Sequence, residues 1–252
     1  ASDVYKRQVL ADMKLVSTVQ TDVVLFNIDS KSEVNGKHSK DAIVSVLQNV
    51  FNEMQGFSGS NPFLADMERK LTEEGKYDLF KEKFEDNFGS TWEESRSDFD
   101  FIQDDVVEVL DEIDFMSIES GRNWCEKATG DYKYKVEDFA QLVKKYLDKK
   151  ENNHHIVFLI DEIGQYIGDD SKLMLNLQTV TEDLGTACGG KAWIIVTSQQ
   201  DIDSITKTKG NDFSKIQGRF DTRLSLSSAN VDEVIKKRIP VSYTHLRAHE
   251  TA

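Results

Sequence analysis

Three short apolar runs divide the chain. Residues 22–28 read DVVLFNI, residues 156–160 read IVFLI and residues 192–198 read AWIIVTS. Runs of this length, rich in β-branched side chains and bounded by polar residues, are typical of buried strands in a parallel sheet. The last two runs and the helical pattern between them span about 40 residues, the size of a βαβ unit. We therefore predict an α/β fold whose strands are covered on both faces.

A helical apolar period fills residues 39–150, between the first and second runs. Asn61 followed by Pro62 predicts a helix start, with the asparagine as N-cap. Thr91 and Glu94 form a capping-box pattern, which predicts a helix running from Thr91 through Ile113. Apolar and aromatic residues recur at helical spacing and are assigned to the core. They include Ile43, Leu47, Phe51, Phe80, Phe84, Phe139 and Val143.

A further amphipathic helix is predicted between the second and third strands. Leu173, Leu177, Val180 and Leu184 recur on one side of it. Gly185, Gly189 and Gly190 are expected to end it, because glycine disfavours a helix interior.

Composition narrows the function classes. The 252 residues carry 45 acidic and 31 basic side chains, a formal net charge of −14. This charge disfavours a large nucleic-acid surface, which needs clustered Lys and Arg, although a local basic patch and hence a DNA contact stays possible. The two cysteines, Cys125 and Cys188, lack metal-ligand spacing and are read as free thiols. No apolar run reaches the length of a membrane helix, so we predict a cytoplasmic protein without a membrane contact.

Both ends match the body poorly. Residues 1–8 read ASDVYKRQ and residues 241–252 read VSYTHLRAHETA, which resemble translated sequencing-adapter read-through. We treat both stretches as non-native and expect an internal fragment of a longer protein. The predicted organisation is then a first part of the α/β core at 9–38, a helical insertion at 39–150, and the rest of the core at 151–240.

The second strand runs directly into Asp161 and Glu162. Two acids at this position either cap a core strand where it reaches solvent, or hold a metal ion and a water for chemistry. In open α/β sheets, ligands bind at the carboxyl ends of the strands. An apolar strand ending in Asp-Glu is the Walker B pattern of P-loop NTPases, in which the Asp holds Mg²⁺ and the Glu is placed to deprotonate the attacking water.

Three later features favour this interpretation. Thr197, Ser198 and Gln199 follow the neighbouring strand, where the Gln199 amide could contact a γ-phosphate; the alternative is a solvated strand end. Arg219 lies in QGRFDTRLSL and is either a surface cation or a finger that reaches a neighbour's nucleotide. Residues 230–239, NVDEVIKKRI, begin an amphipathic helix, as a lid domain would.

The order DEIGQY, IIVTSQQDID, GRFDTRL and a helix ending in KKRI resembles the second half of an AAA+ ATPase core. The resemblance puts Gln199 at the sensor-1 position, normally Asn, and Arg219 at an arginine-finger position. The family's earlier Arg falls on Ile216, and Arg223 is one residue from the usual following Arg. The cofactors implied are ATP and Mg²⁺, with Asp161 as metal ligand, Asp161 and Ser198 at the nucleotide, and Glu162, Gln199 and Arg219 in catalysis.

More specifically, the chain is similar over roughly residues 9–239 to the large P-loop protein of the BREX phage-resistance system, the BrxC/PglY family. The similarity is specific in 156–203 and weaker in the helical middle. That resemblance implies a bacterial ATPase that acts in phage defence as a homo-oligomer with BREX partner proteins.

The sequence contains no G-x-x-x-x-G-K-[ST] run, the phosphate-binding loop of P-loop enzymes. We expect that loop upstream of Val9, and a sensor-2 Arg after residue 239. The 252-residue chain is therefore predicted not to hydrolyse ATP alone. The alternative is a non-catalytic scaffold or a nucleotide-gated interaction module of the same complex.

Overall fold

The computed structural model describes residues 2–32, 41–168 and 170–198. Three strands form the sheet: β1 (Thr21–Asn27), β2 (His155–Asp161) and β3 (Ala192–Val196). The helices are α1 (Ser2–Ser17), α2 (Ile28–Ser32), α3 (Ala42–Met54), α4 (Pro62–Glu73), α5 (Tyr77–Phe88), α6 (Trp92–Ser95), a 3-10 helix (Arg96–Phe101), α7 (Gln103–Glu112), α8 (Ile118–Ala128), α9 (Val136–Asp148), α10 (Ile163–Ile167) and α11 (Ser171–Cys188).

The sheet is parallel throughout, with the order β1-β2-β3. All three strands form where the apolar runs predicted them, within one or two residues at each end. A mixed α/β architecture with a parallel sheet is thus confirmed, whereas its assignment to a P-loop NTPase core stays a prediction. The domain boundaries at 8, 38, 150 and 240 also stay predictions; α1 crosses the first without a break, and residues 241–252 lie outside the described residues.

Helices α3, α9 and α11 cover one face of the sheet. Phe158, in the central strand, contacts Phe51 of α3 and Phe139 of α9, with ring centroids 6.2 and 6.0 Å apart. These three aromatic side chains are buried. The first and last long helices between β1 and β2 therefore belong to the layer that supports the sheet.

Helices α4 to α8 enclose a second apolar cluster. Trp92 lies at its centre, fully buried, with its ring 5.1 Å from Phe80 and 5.4 Å from Phe84. The region between β1 and β2 thus contains a core of its own in addition to the helices that pack on the sheet.

Glu68 on α4 is fully buried beside this second cluster. Its Oε1 accepts hydrogen bonds from the Trp92 indole at 2.7 Å, the Arg96 guanidinium at 2.9 Å and the Tyr77 hydroxyl at 3.1 Å. Its Oε2 accepts from the Ser58 backbone N–H at 2.5 Å. A buried carboxylate is tolerated when it is paired and hydrogen-bonded in this way.

Local signals predicted several helix ends correctly. The Asn61 side chain accepts from the backbone N–H groups of Phe63 and Leu64, at 3.0 and 3.3 Å. Thr91 Oγ1 likewise accepts from the Glu94 N–H at 3.3 Å. These interactions span two or three residues, so the sequence alone is enough to predict them.

The single helix predicted from Thr91 through Ile113 is wrong. The chain forms α6, then the 3-10 helix, then α7, with non-helical angles at Asp98. Before the break, Trp92 and Arg96 bond Glu68, and after it Phe99 is buried in the same cluster. Contacts between helices therefore outweigh the local helical period.

The prediction that Gly185 ends its helix is also wrong. Gly185 lies inside α11, and the helix ends at Gly189, which has a φ of 57°. A glycine inside a helix costs about 1 kcal/mol relative to alanine. Burial of the neighbouring Val180 and Leu184 offsets that cost.

No helix in the described part of the chain is long and apolar enough to cross a membrane.

Candidate functional site

The carboxyl ends of the three strands bring four polar residues to one edge of the sheet. Asn27 ends β1 and pairs in register with Asp161, which ends β2. Glu162 follows Asp161, and Thr197 follows Val196, the last residue of β3. Ligands of open α/β sheets bind at this edge.

Thr197 joins the two acidic positions. Its hydroxyl donates a hydrogen bond to Asp161 Oδ1 and accepts one from the backbone N–H of Glu162 at 3.1 Å. Its backbone carbonyl accepts from the Ile163 N–H at 3.1 Å, and its N–H donates to the Ile160 carbonyl at 3.0 Å. These four bonds hold the end of β3 against the turn that leaves β2.

Glu162 adopts a left-handed backbone conformation, with φ 59° and ψ 28°. Residues other than glycine rarely adopt a positive φ, and such strain is often found at functional sites. The two carboxylates have different partners: Asp161 Oδ1 accepts from Thr197 after β3, whereas Glu162 Oε2 accepts from Asn27 of β1.

Asn27 is a site residue that sequence reasoning missed. Its Nδ2 donates to Glu162 Oε2 at 3.2 Å, while its Oδ1 accepts from the Ser30 N–H at 3.3 Å. The second bond fixes which way the amide points, so the NH₂ group faces the carboxylate. A polar residue at the end of an apolar strand was the available signal, because parallel strands place their carboxyl ends at the same edge.

Two oxygen donors at this edge are of the type that a small, hard divalent cation prefers. Asp161 supplies a carboxylate and Thr197 a hydroxyl oxygen, and Mg²⁺ prefers oxygen ligands. Among the described residues no lysine or arginine forms an ion pair with Asp161, and no group of three or more His, Cys, Asp or Glu could hold a metal. Mg²⁺ commonly takes only one or two carboxylates and completes its shell with water and substrate phosphates.

The structure places part of the predicted site. Asp161 and Glu162 lie together with Thr197, and half-buried Ser198 follows directly on the same edge. Gln199, Arg219 and Arg223 lie outside the described residues, so their positions relative to the acids stay predictions.

No family model matches the sequence, and no solved structure is significantly similar to the fold.

Proposed function

We propose that this chain carries the hydrolysis half of an ATP site in an AAA+-like P-loop ATPase. The observation that supports the proposal is the meeting of Asp161, Glu162, Thr197 and Asn27 at the carboxyl edge of three adjacent parallel strands. Phosphoryl transfer depends mainly on positioning and charge stabilisation, which such an edge can supply.

Asp161 is the proposed ligand of Mg²⁺. The bound ion would neutralise charge on the β- and γ-phosphates. The Thr197 hydroxyl donates to Oδ1 of this carboxylate, which restricts its rotation and orients the other oxygen. Residues that orient a metal ligand typically matter 10- to 100-fold for affinity or activity, roughly the scale expected here.

Glu162 is the proposed general base that takes a proton from the attacking water. Its side chain reaches the end of β1. There the Asn27 amide donates a hydrogen bond to Oε2 of the carboxylate, which helps to fix its orientation. A base must be held within hydrogen-bond reach of the proton that it removes.

The remaining roles rest on the resemblance. Ser198 would contact the nucleotide, Gln199 would sense the γ-phosphate, and Arg219 would act on a neighbouring subunit's nucleotide, which requires a homo-oligomer. The BREX resemblance adds partner proteins of a phage-defence complex. A DNA contact is not part of the proposal, because the net charge is −14.

The test begins with the source locus, read through both ends of this reading frame. A phosphate-binding loop upstream of Val9 supports the proposal and supplies the longer protein for the next step. In that protein, Glu162→Gln should retain ATP binding and lower turnover by roughly 10² to 10⁴, as for loss of a general base. Glu126→Gln on the exposed surface of α8 is the matched control and should leave turnover unchanged.

Two results would contradict the assignment. Unchanged turnover in the Glu162→Gln variant would show that Glu162 is not the general base. Robust Mg²⁺-dependent turnover by the 252-residue chain alone contradicts its description as half a site. A longer protein that binds ATP without turning it over would favour the nucleotide-gated module.

A further inference from the structure

One face of the sheet carries no covering helix in the described part of the chain. Val23 and Leu25 of β1 are 55% and 71% exposed, and Trp193 and Ile195 of β3 are 56% and 47% exposed. The central strand adds half-buried Val157 and Leu159 between them, in register with both neighbours. Parallel sheets are found almost only with both faces covered.

The strand order explains why this face is bare. β1, β2 and β3 are neighbours in chain order, so both connections step in the same direction. Parallel connections are right-handed, and two such steps place their helices on the same face. Within one chain, cover for the other face can therefore come only from segments before β1 or after β3.

Helix α1 is the helix in the described ranges that lies outside these two connections. Val9, Met13 and Val16 recur at i, i+4 and i+7 on one side of it, the spacing of a core-facing stripe. Met13 is 62% exposed and Val16 66%. A single helix of this length is marginal in water without tertiary contacts, so an undocked α1 has little to stabilise it.

From Val9 onward, α1 is long enough to cross more than half of the bare face. Residues 9–17 span about 14 Å, at 1.5 Å per residue. The 7 residues of β1 span about 23 Å. Residues 18–20 join helix and strand, within the usual length of about 2 to 6 residues for a connection from a helix to a strand that packs against it.

We propose that α1 folds back across the bare face of its own sheet, antiparallel to β1, with Val9, Met13 and Val16 against Leu25, Leu159 and their neighbours. This structure, with the apolar side of α1 exposed, is then the open state. In the closed state α1 covers the bare face and completes the second layer of the α/β fold. The inference rests on packing and does not depend on the proposed function.

Disulfide trapping in the full chain tests the closed state. A Met13→Cys, Leu159→Cys variant should form a disulfide within one chain under mild oxidation, at a rate independent of protein concentration. The matched control is Leu15→Cys with Leu159→Cys, because Leu15 is equally exposed but lies off the stripe. We expect the control to cross-link at least fivefold more slowly. The native Cys125 and Cys188 are buried and do not compete.

Hydrogen exchange of residues 9–17 provides a second readout in chains without new cysteines. The amide protection of wild-type α1 should fall at least tenfold in Met13→Asp and stay within twofold in Leu15→Asp. Equal cross-linking in the two cysteine pairs, or unprotected α1 amides in the wild type, overturns the proposal. Cross-links that join two chains also overturn it and assign the face to α1 of a second copy.

Discussion

Asn27 Nδ2 donates a hydrogen bond to Glu162 Oε2 at 3.2 Å, although 135 positions separate the two residues in the chain. The bond crosses from the end of β1 to the turn after β2, and Asn27 pairs in register with Asp161, the residue before the glutamate. Through Asn27, β1 thus helps to position the Glu162 carboxylate, which follows the end of β2.

Replacing Asn27 should slow turnover without weakening nucleotide binding. Asn27→Ala in the longer protein removes the hydrogen bond from Asn27 Nδ2 to Glu162 Oε2, leaving the proposed base less well oriented. A hydrogen bond to a charged group contributes about 1.5–3 kcal/mol. Its loss should therefore lower kcat by at most about 10- to 100-fold.

The matched control for Asn27 is Asn87→Ala. Asn87 Nδ2 donates to Glu112 Oε2 at 3.1 Å, an exposed pair of the same chemistry on α5 and α7. Steady-state kinetics and nucleotide titration should separate the two variants. A Kd that rises while kcat stays constant contradicts a positioning role for Asn27.

Thr197→Val should raise the Mg²⁺ concentration that half-saturates turnover, by about tenfold on the scale of residues that orient metal ligands. Valine keeps the shape of the side chain but removes the hydroxyl that orders Asp161 and the Glu162 N–H. Thr197→Ser keeps the hydroxyl and should retain the wild-type Mg²⁺ dependence.

The control for the substitution itself is Thr179→Val, which removes an exposed hydroxyl hydrogen bond within α11. Identical Mg²⁺ dependence in the Val and Ser variants of Thr197 would argue against the metal site.

Glu68→Gln should lower the free energy of unfolding by about 3–5 kcal/mol, since the Arg96 guanidinium loses its buried carboxylate partner.

Glu73→Gln is the contrasting variant. Glu73 pairs with Lys149 at 2.6 Å, but both side chains are about half exposed, so its loss should cost below about 1 kcal/mol. Urea unfolding monitored by the fluorescence of buried Trp92 measures both. Equal losses in the two variants would mean that the ion pair of Glu68 contributes little.

Asp22 should contribute to acid unfolding. Burial raises the pKa of Asp22, but hydrogen bonds from Tyr146 and His154, each 2.6 Å long, and the charges of His154 and Lys150 outweigh it, so the net pKa lies below the usual value. A carboxyl whose folded pKa is depressed contributes stability above its unfolded pKa of about 3.9, and loses it as the pH falls through the folded value.

The acid limb of the stability curve tests the role of Asp22. Asp22→Asn should be destabilised at pH 6 and should lose less stability than the wild type below about pH 4. Tyr146→Phe removes one donor to Asp22 and should shift the acid limb upwards in pH. Urea unfolding from pH 6 to pH 2 measures the limb, and an identical pH dependence in wild type and Asp22→Asn would contradict the assignment.

Interactions between residues close in the chain account for what could be predicted locally. The Asn61 and Thr91 caps were predicted because each side chain bonds a backbone group at most three residues away. The break at Asp98 was missed because the residues around it pack against distant parts of the chain: Arg96 bonds Glu68, and Phe99 is buried in the second cluster. No local pattern reveals such contacts.

By itself, the sequence determined the three strands, the parallel α/β class and the placement of Asp161, Glu162 and Thr197 at strand ends, because apolar runs of strand length specify buried strands wherever they occur. Only the tertiary structure decided that Asn27 contacts Glu162, that Thr197 bonds Asp161 and that, among the described residues, one face of the sheet lies bare. Those relationships follow from strand order and register, which join residues more than 30 positions apart. Pairing across such distances depends on the whole packed core and leaves no periodic signal in the chain.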